Sequence, residues 1–109
     1  MTQMLLTQAL RRRFTQIGSQ EESDDPIVIA HYFTGSWDWY ATEFDKRTGR
    51  FYGWVSGTYP EWGYFSLQEF EDVNAQIGLK DNFRYVRIER DYQWTEKPIK
   101  SVHDYQRRM

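Results

Sequence analysis

The segment Pro60-Glu61-Trp62-Gly63-Tyr64-Phe65-Ser66-Leu67-Gln68-Glu69-Phe70 constrains this chain more than any other. Ser66 followed by Glu69 is a capping box, in which each side chain satisfies a backbone N–H that a helix start leaves without a partner. Phe65 before the cap and Phe70 at the fourth helical position form the matching hydrophobic staple. One short segment therefore fixes the end of a strand, the start of a helix and the angle between them.

The core on which that corner rests must be aromatic. Trp, Tyr and Phe make up 18% of the 109 residues and aliphatic side chains are sparse. Large flat rings then do the packing, and many need a polar partner for an N–H or O–H. The length suits one domain spanning residues 1–109. A mean hydropathy of -0.84 and the lack of any run near the ~18 apolar residues of a membrane span predict a protein outside the bilayer. Met1 to Leu10 lacks a basic region ahead of a long apolar core, so no signal peptide is expected. The absence of cysteine removes disulfides, thiolate chemistry and cysteine metal sites, and points to the cytoplasm.

Residues 27–67 read as strands joined by short turns. Ile27 to Thr34 is apolar on both faces, as in a well-covered strand. Trp37 to Phe44 follows the Gly35-Ser36 turn, and simple alternation places Tyr40, Thr42 and Phe44 on one face and Trp39, Ala41 and Glu43 on the other. Asp45 to Gly49 is a hairpin loop leading to Arg50–Gly57, where Gly53 marks a bulge or a close approach across the sheet. Glu61 to Phe65 is the next strand. An amphipathic helix precedes them, with Leu6, Ala9, Leu10, Phe14 and Ile17 on one stripe, Thr7 (or Thr2) as its start and Gly18 at its end. After Ser66 a helix presents Leu67, Phe70, Val73 and Ile77 and ends at Gly78. Phe83 to Trp94 alternates as a half-exposed strand, with Val86, Ile88, Tyr92 and Trp94 inward, and a short helix follows Pro98. The fold class is α+β, a four- or five-stranded, mainly antiparallel meander packed against two helices.

Leu5-Leu6-Thr7, Asp25-Pro26-Ile27-Val28, Phe33-Thr34, Thr42-Glu43-Phe44-Asp45, Phe51-Tyr52-Gly53 and the Pro60–Glu69 segment together resemble a family of small bacterial proteins known as a domain of unknown function. That family is encoded mainly on plasmids, integrative elements and phages. The resemblance runs from Leu5 to about Tyr92 and is most specific at Glu61–Glu69, where the family usually has Leu at the position of Trp62. It implies an accessory role in a mobile element and supplies no reaction, ligand or catalytic residue.

Charge is unevenly spread along the chain. Residues 21–72 hold eleven acids against three bases, between basic ends. An acidic middle suits a protein partner and gives little support to broad phosphate-backbone binding. Arg11, Arg12 and Arg13 are a solvated helix face or a contact for an acidic partner. No cofactor or metal motif is present: His31 and His103 stand alone, and His31 reads as a hydrogen-bonded core residue. Glu43 and Glu61 are the weak catalytic candidates, as a carboxylate pair for acid/base or cation chemistry, or else as partners of Arg50, Arg87 or Arg90. Asp38 and Asp45 are the other carboxylates that could take part in such chemistry, or else they shape turns. Exposed rings, among them Trp37, Trp39, Tyr52, Trp54, Tyr64 and Tyr85 with Arg84, Arg87 and Arg90 nearby, offer a surface that stacks single-stranded nucleic acid, or else form the core. The favoured function is a non-enzymatic module that binds another protein, anti-restriction or anti-CRISPR action being one specific form. Its expected binding residues are Trp39, Glu43, Trp54, Glu61, Trp62, Tyr64 and Arg87. The single-strand binder and the small carboxylate enzyme are the alternatives.

Overall fold

The computed structural model describes residues 4–80 and 87–107, with the backbone alone at 77–80. The elements are α1 (Gln8–Ile17), β1 (Ile27–Val28), β2 (Ala30–Thr34), β3 (Trp37–Asp45), β4 (Arg50–Ser56), β5 (Glu61–Ser66), α2 (Leu67–Lys80), β6 (Glu89–Arg90), β7 (Lys97–Pro98), a 3-10 turn (Ile99–Ser101) and α3 (His103–Gln106). Strands β2 to β5 form the antiparallel meander expected of short connections, and β6 extends it in the order β5-β4-β3-β2-β6. β1 pairs separately with β7, Ile27 opposite Pro98. The fold is α+β.

The local signals act as their chemistry requires. Thr7 Oγ1 accepts from the Leu10 N–H at 3.1 Å and Gly18, at φ 64°, closes α1 by donating to Phe14 O at 3.0 Å. Ser66 Oγ accepts from Glu69 N at 3.2 Å, and the Phe65 and Phe70 rings stack with centroids 5.6 Å apart. The strand-to-helix corner is thus capped and stapled. Past it, α2 continues through Gly78 to Lys80. Its inward stripe is Phe70 and Asn74 with Leu67 half-buried, Val73 is 38% exposed, and the Ile77 side chain lies outside the described residues. Asn74 takes the inward place because its amide donates to Ile88 O at 3.0 Å and accepts from Ile88 N at 2.8 Å, pairing two backbone groups that burial would otherwise strand.

Simple alternation fails in β3. The register with β4 runs to Ala41 opposite Gly53 and resumes with Glu43 opposite Tyr52, which leaves Thr42 as the extra residue of a bulge. One inserted residue exchanges the faces beyond it, so Glu43 joins Tyr40 and Phe44 joins Trp39. The sequence mark of this bulge stands across the ladder. A Cβ on Gly53 would lie 2.0 Å from the Tyr40 carbonyl oxygen, so only glycine lets the two backbones approach this closely.

The sheet consequently has two different faces. On the inner face Phe44, Phe51 and Phe65 form one transverse row, flanked by the small row Ala30–Ala41–Gly53–Gly63. Phe14 from α1 and Phe70 from α2 close over it, with Leu5, Leu6 and Ile88. These are the two expected helices. The outer face has a cover of its own, since Ile99, Val102 and Tyr105 from the C-terminal segment bury Tyr40 and Trp54. Of the long strand expected at 83–94, residues 83–86 lie outside the described residues, and among the described ones Glu89 and Arg90 pair with β2. The chain then turns at Asp91, whose carboxylate accepts from Gln93 N at 3.0 Å. Tyr92 is left 68% exposed, and Trp94 swings to the outer face, where its Nε1 donates to Val28 O at 3.0 Å. The expectation of two inward rings there is corrected by this turn. No helix among the described residues is long and apolar enough to cross a membrane.

Candidate functional site

Two transverse rows of side chains organise the outer face. Glu43, Tyr52 and Tyr64 face one another across β3, β4 and β5, and His31, Tyr40, Trp54 and Trp62 do so across β2 to β5. Strands lie about 4.8 Å apart, so each row sets side chains at van der Waals intervals. The Tyr52 and Trp62 rings stack at 5.8 Å and 11°, and Tyr52 meets Tyr64 edge-on at 5.0 Å. Trp62 in turn packs on Trp54 and on Tyr105. Between this aromatic wall and the connector after α1 lies a cleft of about 430 Å³. Gln20, Glu21, Ser23, Asp24 and Pro26 form its connector side; Thr42, Glu43, Tyr52, Trp62, Tyr64 and Tyr105 form the other.

The connector is held in place by Gln20. Its side-chain amide donates to Ile27 O at 2.9 Å and Thr42 O at 2.8 Å, and its carbonyl accepts from Ile27 N at 2.7 Å. Its backbone N–H donates to Glu43 Oε2 at 3.0 Å. A single residue thus serves the carbonyl that the bulge exposes and anchors the cleft's carboxylate. Further along, Asp25 accepts from Lys100 N at 3.0 Å, and Asp24 sits 3.6 Å from the Lys100 ammonium.

Among the described residues, three carboxylates, Glu21, Asp24 and Glu43, and no basic side chain line this space. Burial first, then the Tyr64 hydroxyl and the Glu43 and Glu21 carboxylates, push the Tyr52 phenol above its ordinary pKa. The aromatic wall already carries one cation of the chain, because the Arg50 guanidinium lies 4.6 Å from the Tyr64 ring centroid.

The structure gathers some of the sequence-derived residues here and separates others. Glu43, Trp62 and Tyr64 line the cleft, with Trp54 buried beneath, 5% exposed, under Tyr105. Trp39 is on the inner face, edge-on to Phe70 at 4.9 Å. Glu61 is opposite Val55, a residue that packs on the inner core, so it and Glu43 occupy opposite faces and form no carboxylate pair. Among the described residues Glu43 is in no ion pair with an arginine, and its Oε2 accepts from Gln20 N instead. Arg87 precedes Ile88 at the β6 side of the sheet, the edge away from β5. Tyr85 and Arg84 lie outside the described residues. Among the described residues no cluster of three or more His, Asp or Glu side chains is arranged to hold a metal ion. Gln20, Tyr105 and the acidic connector were not foreseen as site residues. The bulge that turns Glu43 toward them leaves its only sequence trace at Gly53.

A family model described as Protein of unknown function (DUF2958) matches residues 2–107. The chain belongs to the DUF2958 family. No curated protein and no solved structure matches it.

This DUF2958 chain carries a second polar cluster beside the cleft rows. His31 Nε2 lies 2.7 Å from Asp38 Oδ1 and Nδ1 lies 2.9 Å from Asp91 Oδ2, so both ring nitrogens face carboxylates. Its ring stacks on Tyr40 at 4.6 Å and 5°, and the Tyr40 hydroxyl donates to Asp104. Burial pulls the imidazole pKa down, but the hydrogen bonds to Asp38 and Asp91 outweigh it and the net shift is upward. His31 is therefore a hydrogen-bonded half-core residue, as its strand position suggested. Asp38 serves this bridge rather than shaping a turn. Asp45 does shape its turn, accepting from Arg47 N at 2.9 Å.

Proposed function

We propose that this DUF2958 protein is a non-enzymatic accessory protein of a mobile genetic element that binds another protein through the outer-face cleft. The observation that carries the reading is the cleft's composition: an ordered aromatic wall facing carboxylates, with no basic side chain among the described lining residues. Tyr and Trp walls supply rigid contact area at low entropic cost, which is why such rings dominate protein-binding surfaces. The carboxylates repel phosphates, which argues against single-stranded nucleic acid as the occupant. The placement of Trp39 and Trp54, packed beneath helices, argues the same way. With Glu43 and Glu61 on opposite faces, the two-carboxylate reaction lacks its pair.

The genetic setting rests on the resemblance of Glu61–Glu69 to proteins of plasmids, integrative elements and phages, and anti-defence action on a host protein is its specific form. The test is affinity capture from nuclease-treated host lysate, with the wild-type chain beside Tyr64→Ala and Glu43→Gln. A protein retained by wild type and lost from both variants supports the reading. Retention that nuclease abolishes, or that neither variant weakens, refutes it.

A further inference from the structure

We infer that the outer-face cleft is a binding site for an organic cation, and that its occupant is an arginine or lysine side chain presented by the partner. The inference rests on the protein-binding reading above and names the chemistry of that contact.

The walls provide the two things a desolvated guanidinium or ammonium needs. One is aromatic surface: the rings of Tyr52, Trp62 and Tyr64 line the cleft in contact with one another, and an aromatic quadrupole attracts a cation. The chain demonstrates this on the same wall, where Arg50 stacks on Tyr64. The other is counter-charge. Glu43 stands in the row of Tyr52 and Tyr64, and only its Oε2 is used by Gln20 N among the described residues. Its remaining oxygen accepts a charge-assisted hydrogen bond from a cation held against these rings. Glu21 extends the negative field along the rim, where Asp24 is partly offset by the Lys100 ammonium 3.6 Å away. At about 430 Å³ the cleft is within the ~300–1,000 Å³ range of ligand clefts, and accommodates a basic side chain with part of its backbone. The acidic wall is also pre-positioned, because Gln20 fixes the connector to β3 and to β1.

The experiment is a titration of the full chain, monitored through the Trp indole and Tyr resonances. The probes are N-acetyl-Gly-Arg-Gly-amide, the same peptide with neutral citrulline in place of arginine, and tetramethylammonium. The arginine peptide is expected to shift the Trp62 indole and to bind about tenfold or more tightly than the citrulline peptide, with the difference shrinking as salt rises. Glu43→Gln, which keeps an acceptor for Gln20 N, is expected to weaken the arginine peptide about fivefold while leaving thermal unfolding unchanged. Equal binding of arginine and citrulline peptides, or an unaffected Glu43→Gln variant, overturns the inference. Tetramethylammonium binding as tightly as the arginine peptide assigns the site to a free cation and overturns the side-chain assignment. Failure here is separable from failure of the protein-binding reading. Lysate capture lost in Tyr64→Ala despite equal arginine and citrulline binding leaves the docking surface and removes the cation. Arginine-selective binding with capture unchanged in Tyr64→Ala leaves the cation site and removes the docking surface.

Discussion

Removing the Gln20 side chain should loosen the sheet and the cleft together. Gln20→Ala deletes three hydrogen bonds, to Ile27 N, Ile27 O and Thr42 O, all between 2.7 and 2.9 Å. Each intramolecular hydrogen bond contributes about 0.5–1.5 kcal/mol net, and water reaches this half-buried place to replace part of the loss. The expected destabilisation is therefore roughly 1.5–3 kcal/mol, read as a fall in the urea midpoint at unchanged m-value. Gln20→Glu separates the clasp from simple packing. It has nearly the same shape and keeps the acceptor for Ile27 N, but it sets a carboxylate against two carbonyl oxygens. That variant should be at least as unstable as Gln20→Ala. If alanine costs less than about 0.5 kcal/mol, a typical surface effect, or if glutamate is tolerated like wild type, the connector is not held by this clasp and the pre-positioned acidic wall fails with it.

Other consequences follow from particular residues. Because the folded pKa of His31 lies above its ordinary value of about 6.5, the His31 contribution to stability is complete below that value and is lost as pH rises through the folded pKa. Thermal unfolding against pH should fall across that window in wild type and lack that component in His31→Gln; an identical slope in both contradicts the bridge. Gly53→Ala forces a Cβ within 2.0 Å of Tyr40 O and 3.0 Å of Ala41 Cα, backbone atoms that cannot swing aside, so calorimetry should show a loss at or above the ~1–3 kcal/mol of ordinary overpacking. Asn74→Leu leaves Ile88 N–H and C=O buried without partners, a cost of about 1–3 kcal/mol each. A change under about 1 kcal/mol in denaturant unfolding would show that Ile88 finds other partners.

The sequence was most informative where chemistry is local. Thr7, Ser66, Gly18 and Gly49 act within a few residues of themselves, and the corner from Phe65 to Phe70 was legible from four side chains. The meander followed from turn lengths. What escaped reading depends on pairing between distant segments. A bulge at Thr42 exchanges the faces of Glu43 and Phe44, and alternation counts carry no sign of it except an unexplained Gly53 on the neighbouring strand. Asn74 on an otherwise apolar stripe reads as an exposed polar residue until Ile88 is placed against it. The outer cover is built from Ile99, Val102 and Tyr105, in a segment too short and irregular for periodicity to place. The cleft was accordingly half legible: Glu43, Trp62 and Tyr64 were anticipated, while Gln20, the acidic connector and Tyr105 come to them through tertiary contacts alone.

Exposed tyrosines allow the proposed docking surface to be tested directly. Tyr64 lines the cleft and is 66% exposed, Tyr92 is 68% exposed beyond β6 at the other edge of the sheet, and Tyr59 is 80% exposed in the turn before β5. Similar exposure makes them matched positions for a photo-crosslinking phenylalanine analogue, installed one at a time and irradiated in host lysate. The account predicts a protein adduct from position 64, none from position 92, and an adduct peptide containing arginine or lysine. Crosslinking from position 92 without position 64, or an adduct peptide lacking both basic residues, would contradict it.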